Sequence, residues 1–242
     1  MNLILSPKLK KYTFLKQFQN NYCTHLSKSN TKKVVLIGLG PHSQRIYINS
    51  LSKMNITPTL IVDLDLKKEK VERYLKEKKM NSNTFYISSA EKDREELTND
   101  LKEKLDFQLK NLNITHAIIA TEPKSHFAYL KYFISRKIDV LIDKPIVSPT
   151  NVCNEEAQCW KIKQQYEELL KMQEIYKTRV SVNCQRRYDQ RFHFIKSILK
   201  ENILKYQVPL NYISIYHSDG VFYMPDDSPN LENHPYKVKI YT

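Results

Sequence analysis

The stretch from Lys32 to Ser43, KKVVLIGLGPHS, limits what this chain can fold into more than any other. An apolar run, Val34 to Ile37, breaks into Gly38-Leu39-Gly40 and then Pro41-His42-Ser43. Only three glycines occur in 242 residues, so two of them set two positions apart reserve backbone room at this point. The apolar run reads as a buried parallel strand and the residues after Ser43 as a helix. Strand, glycine turn and helix together are the setting of a dinucleotide-binding turn. The first glycine permits the tight turn. The second lets the backbone approach a pyrophosphate held by the free N–H groups and dipole at the helix N-terminus. Ser43 stands where the third small residue of such a turn belongs, with Pro41 and His42 before it.

A second unit follows. Thr59 to Val62 reads as another apolar strand, and Asp63 stands at its end, 25 positions beyond Gly38. An acid there accepts the adenosine ribose hydroxyls and repels a 2′-phosphate. Taken singly, Asp63 is equally an ordinary strand-end aspartate. With the glycines it makes NAD the expected cofactor, and Lys67 and Lys68 close behind keep NADP as the alternative.

The chain then alternates. Lys67 to Lys79 reads as a helix, Thr84 to Ile87 as a third strand, and Glu91 to Leu112 as a helix with Leu97, Leu101, Leu105 and Leu109 on one face. His116 to Ala120 reads as a fourth strand, Phe127 to Arg136 as a helix and Asp139 to Ile142 as a fifth strand. Such an order implies an α/β fold, a doubly wound parallel sheet whose ligand lies at the C-terminal ends of its strands. Those ends hold Thr121-Glu122-Pro123-Lys124-Ser125-His126 and Asp143-Lys144-Pro145. A lysine leaving a buried strand there could hold a substrate hydroxyl or assist its proton transfer. The plain alternative is a surface lysine at a strand exit.

GLGPHS, IVDLD, ATEPKSH, DKP and VNCQRRYD resemble, in order and spacing, the glucose-fructose oxidoreductase and inositol dehydrogenase family, Gfo/Idh/MocA, over roughly Lys32 to Asp189. The resemblance implies an N-terminal Rossmann domain with NAD or NADP, a second domain of helices and open sheet, and oxidation of a sugar, polyol or similar hydroxylated small molecule. It carries Lys144 over as the catalytic or substrate-orienting residue. Gly38, Gly40, Pro41, His42, Ser43, Asp63, Thr121, Pro123, His126, Asp143 and Arg187 are carried over to the cofactor, with an ion pair to Asp189 the plain alternative for Arg187. The family pattern reads ATP and EKP where this chain has Thr121-Glu122-Pro123 and Asp143-Lys144-Pro145. The family's histidine and aspartate segment, which accepts the substrate's proton, does not occur before Thr242, and His217, Asp219 and His234 do not fit its pattern. The chain therefore reads as short at its C-terminus. Dinucleotide binding with little turnover is the expectation, and a non-catalytic relative (a sensor, assembly partner or truncated enzyme) is the alternative.

Three regions result. Residues 1–31 comprise an amphipathic helix from Ser6-Pro7, with Tyr12, Leu15, Phe18, Tyr22 and Leu26 apolar, and a polar linker. Residues 32–146 form the dinucleotide-binding domain. Residues 147–242 form a partial α+β substrate domain: a helix capped by Thr150-Asn151 and running to Lys177, a strand from Arg179 to Cys184, a helix from Phe192 to Leu199 and a strand from Tyr212 to His217.

The net charge of +13 raises nucleic acid as a partner, but no Asp or Glu precedes Asp63 while nine Lys and Arg do. An excess gathered so near the N-terminus, without a zinc-finger, RNA-binding or basic-zipper motif, argues against it. No apolar run approaches the roughly 18 residues of a membrane span. Cys23, Cys153, Cys159 and Cys184 form no CxxC pair and no metal-ligand spacing, which points to reduced thiols in the cytoplasm. Organelle import stays open because the acid-free start resembles a transit peptide. A homo-oligomer is compatible with the sequence.

Overall fold

The computed structural model describes residues 32–92, 94–150, 155–184 and 190–207, all but Lys32 in the unit Lys33–Thr242. The expected N-terminal helix, Arg187, His217, Asp219, His234 and the strand from Tyr212 to His217 lie outside the described residues.

Among the described residues six strands make one parallel sheet in the order β3-β2-β1-β4-β5-β6. They are β1 Val34–Ile37, β2 Leu60–Leu64, β3 Asn83–Ile87, β4 His116–Ile119, β5 Asp139–Asp143 and β6 Val180–Asn183. This is the Rossmann order, in which the chain reverses direction across the sheet between β1 and β4. Register fixes which strand ends meet: Ile37 pairs with Val62 on one side of β1 and with Ile119 on the other, and Asp143 pairs with Asn183.

The strands are apolar without alternation because both faces are covered. Val35, Leu36, Leu60, Ile61, Val62, Ile119 and Ile142 have no exposed surface. One face packs against α1, whose consecutive segments are Pro41–Ser43, a π-wound Gln44–Ile48 and Asn49–Lys53, and against α2, Lys68–Glu77. Tyr47, Ile48, Leu51, Val71 and Leu75 meet Val34, Leu36 and Ile118 there. The other face packs against α3, Asn99–Asn111, and α4, His126–Ser135. Leu101, Leu105 and Leu109 recur every four residues and point at the sheet.

Three helices differ from the sequence reading. The helix expected from Glu91 begins at Asn99, because the Thr98 hydroxyl accepts from Leu101 N at 3.3 Å and caps it there. The helix expected from Thr150-Asn151 is described as α5, Glu156–Tyr176, and it packs on α4 through Leu169. The helix expected over Phe192 to Leu199 is longer, α6, Gln190–Tyr206. The sheet also runs on past residue 146, since β6 pairs with β5 from Val140↔Val180 to Asp143↔Asn183.

Candidate dinucleotide site

The glycine turn sits at the end of the most buried strand. Gly38 has φ +89°, and a Cβ there would stand 2.9 Å from the Ala120 carbonyl oxygen. No L-residue with a side chain fits both conditions. Its N–H donates to Val62 O at 2.8 Å, which docks the turn on β2. Gly40 is different: its φ of −72° suits any residue, and nothing lies within 4 Å of the place a Cβ would take. It caps α1 with its carbonyl, which accepts from Gln44 N at 3.0 Å. Pro41 occupies the first helical position, where its missing N–H costs nothing. Ser43 is fully buried, and its small side chain lets α1 lie close on the sheet.

Asp63 closes the other side of the turn. It is 5% exposed and accepts from Leu39 N at 2.8 Å through Oδ2 and from Leu64 N at 2.8 Å through Oδ1. The Lys67 ammonium is 3.9 Å from Oδ1. Each carboxylate oxygen keeps a lone pair for a further donor. The aspartate thus both braces the glycine turn and presents acceptor capacity to the cleft.

That cleft, of ≈ 310 Å³, opens at the C-terminal ends of β1, β2, β3 and β4. Of the residues expected from the sequence, Gly38, Gly40, Asp63, Thr121 and Pro123 line it. The Thr121 hydroxyl is buried without a partner among the described residues. The reading of the sequence missed Leu64, Ile87, Glu91, Lys92 and Tyr129, which also line it. The register Leu64↔Ile87 brings the first two together, and Tyr129 lies one helical turn beyond His126 on α4. Burial, with Asp63 and Glu91 nearby, raises the Tyr129 phenol well above its ordinary value, so it stays neutral. Lys92 and Glu122 are ion-paired at 3.2 Å and join the loop after β3 to the loop after β4.

The remaining expected residues stand apart from the cleft. His126 is fully buried, with Nδ1 2.7 Å from Pro145 O and Nε2 3.1 Å from Thr121 O. Two carbonyl acceptors favour the doubly protonated ring, but burial outweighs them and lowers the imidazole pKa. His126 therefore ties the loop after β4 to the loop after β5. Beyond the cleft, His42 Nε2 lies 2.9 Å from Asp143 Oδ2. Lys144, the next residue, is exposed.

A family model described as an oxidoreductase family with an NAD-binding Rossmann fold, GFO_IDH_MocA, matches residues 32–167, more than half of the chain. The chain belongs to the Gfo/Idh/MocA oxidoreductase family. None of the curated proteins matches it. Among solved structures, an oxidoreductase from Bacillus cereus is 19% identical, with 72% of this chain and 41% of that one covered and a TM-score of 0.50. A Gfo/Idh/MocA family oxidoreductase from Vibrio cholerae is 15% identical, with 71% and 44% covered and a TM-score of 0.50. The WlbA (WbpB) dehydrogenase from Thermus thermophilus, solved with NAD and UDP-GlcNAcA, is 13% identical, with 70% and 47% covered and a TM-score of 0.51. These likenesses show the fold. The chain spans less than half the length of the structures it matches. In this Gfo/Idh/MocA protein the glycine turn, Asp63 and the cleft all fall within the matched NAD-binding Rossmann domain.

Proposed function

We propose that this chain is an NAD-dependent oxidoreductase that oxidises a hydroxyl-bearing carbon of a sugar, polyol or similar substrate, and that NAD is preferred over NADP. The observation that carries the reading is the open space at Gly40, the N-cap of α1, in a cleft it shares with Asp63 and with Thr121, whose hydroxyl has no partner among the described residues. Such a space fits a pyrophosphate, and a carboxylate one strand away fits a ribose diol. Gly38, Gly40, Asp63, Thr121 and Pro123 would hold the cofactor, which when bound supplies the acceptor for the substrate's hydride. Asp63 accepts the ribose hydroxyls and repels a 2′-phosphate, with Lys67 at 3.9 Å partly offsetting that repulsion.

Lys144 is the residue we assign to the substrate. It is exposed at the exit of β5, where its ammonium can donate to the hydroxyl oxygen and orient it. The sugar nucleotide in the Thermus thermophilus dehydrogenase puts that class of compound in the assay panel alongside simple sugars and polyols.

The test is calorimetric titration with NADH and NADPH, followed by assay of that panel for NAD reduction by the wild type and Lys144→Ala. NADH should bind about tenfold or more tightly than NADPH, and Asp63→Ala should remove most of the difference. Lys144→Ala should keep NADH affinity and lose whatever turnover the wild type shows. Tight NADH binding with no turnover on any substrate would favour the non-catalytic reading instead.

A further inference from the structure

The strand order sets which way a dinucleotide lies in this fold. Asp63, at the end of β2, would take the adenosine ribose, so the other half would run past Gly40 onto the side of β4 and β5. The cleft described above reaches only from β3 to the loop after β4. His42 and Asp143 stand on the side toward which the nicotinamide half extends. His42 is in the first turn of α1, two residues after Gly40, and Asp143 is the last residue of β5.

Asp143 is held at both oxygens. Its Oδ1 accepts from Lys144 N at 2.9 Å, and its Oδ2 lies 2.9 Å from His42 Nε2, which donates to it. Its side chain is 17% exposed, against 43% for His42. Among the described residues no lysine or arginine pairs with it. His42 in turn meets the edge of Tyr47, at 6.2 Å between ring centres. The Tyr47 hydroxyl accepts from Asn183 Nδ2 at 3.0 Å, and burial pushes the phenol up to about 12, so it brings no charge. The carboxylate is thus fixed in direction and partly shielded from water, with His42 as its side-chain partner among the described residues.

We propose that Asp143, oriented by His42, sets this site's preference for the oxidised over the reduced cofactor. The inference rests on the dinucleotide reading above. The nicotinamide of NAD⁺ is a pyridinium cation, whereas the dihydropyridine of NADH is neutral. A fixed carboxylate on the nicotinamide side would therefore stabilise the oxidised form over the reduced one. At the effective dielectric of a partly buried site, one such charge changes the ratio of the two affinities by about tenfold. Asp143 is the determinant and His42 is its positioning residue. The bound couple becomes harder to reduce as a result.

The experiment is calorimetric titration of the full chain with NAD⁺, NADH and ADP at one pH. ADP reports the glycine turn and Asp63 without the nicotinamide. Asp143→Asn, which keeps an oxygen for Lys144 N, should weaken NAD⁺ by about tenfold, NADH by less than about twofold and ADP not at all. His42→Ala should give a smaller shift of the same sign, and His42→Gln, which keeps an N–H donor, should restore the ratio. Equal weakening of NAD⁺ and NADH by Asp143→Asn, or an unchanged ratio, would overturn the proposal. Failure of the wild type to bind ADP and NADH would instead overturn the dinucleotide reading beneath it.

Discussion

At the scale of single residues, the two glycines do opposite things. Gly38 is required by the backbone: its φ is +89° and an added Cβ would meet a carbonyl oxygen that belongs to β4's exit and cannot move aside. Gly38→Ala should destabilise the protein by about 1–3 kcal/mol and lower the thermal midpoint by several degrees. An unchanged midpoint would show that the turn relaxes freely. Gly40 leaves open the space in front of it, where we place the pyrophosphate. Both positions stood out because a chain with three glycines places two of them here. Asp63 stood out as a candidate for the ribose, but its grip on Leu39 N was not legible, since that contact joins residues 24 apart through the pairing of β1 with β2. The contact of His42 with Asp143 was hidden for the same reason. It exists only because β4 lies between β1 and β5 and brings their exits together.

At the scale of elements, the strands were read well because buried parallel strands are short apolar runs. Helix starts were read less well, because charge runs such as Lys92 to Glu96 look helical until a cap such as Thr98 is seen to act. Arg136 shows another long-range tie: its guanidinium pairs with Asp106 of α3 and lies 3.7 Å over the Tyr132 ring, joining α3 to α4. The sequence motif containing His126 suggested contact with the cofactor, and the structure places the ring between the loops after β4 and β5. That placement has a pH signature. The native pKa of His126 lies below its ordinary value of 6.5, so on acidification the unfolded chain takes up the proton first. Stability from this residue is fully present above pH 6.5 and is lost as pH falls from there through the lowered native value. Thermal midpoints recorded from pH 8 to pH 5 should fall on the acid side, and the fall should be shallower in His126→Gln. Parallel profiles for the two proteins would remove His126 as the cause.

At the scale of the whole molecule, the sheet is continuous from β3 to β6, and the site forms where its order reverses beside β1. The sequence placed β6 in a second domain because it follows the long helix α5. The backbone pairing of Val140 to Val180 joins it to the nucleotide-binding sheet. We therefore propose that the dinucleotide-binding unit runs to Asn183. The central claim is that the open space at Gly40 receives the cofactor's pyrophosphate. Calorimetric titration of NADH into the wild type and into Gly40→Val tests it most directly, with circular dichroism and thermal unfolding recorded on both. Because nothing lies within 4 Å of the Cβ position, the valine protein should fold with a closely similar midpoint. The wild type should bind one NADH per chain, and the variant should lose at least about 10²-fold in affinity. A folded Gly40→Val protein that binds NADH as tightly as the wild type would contradict the account.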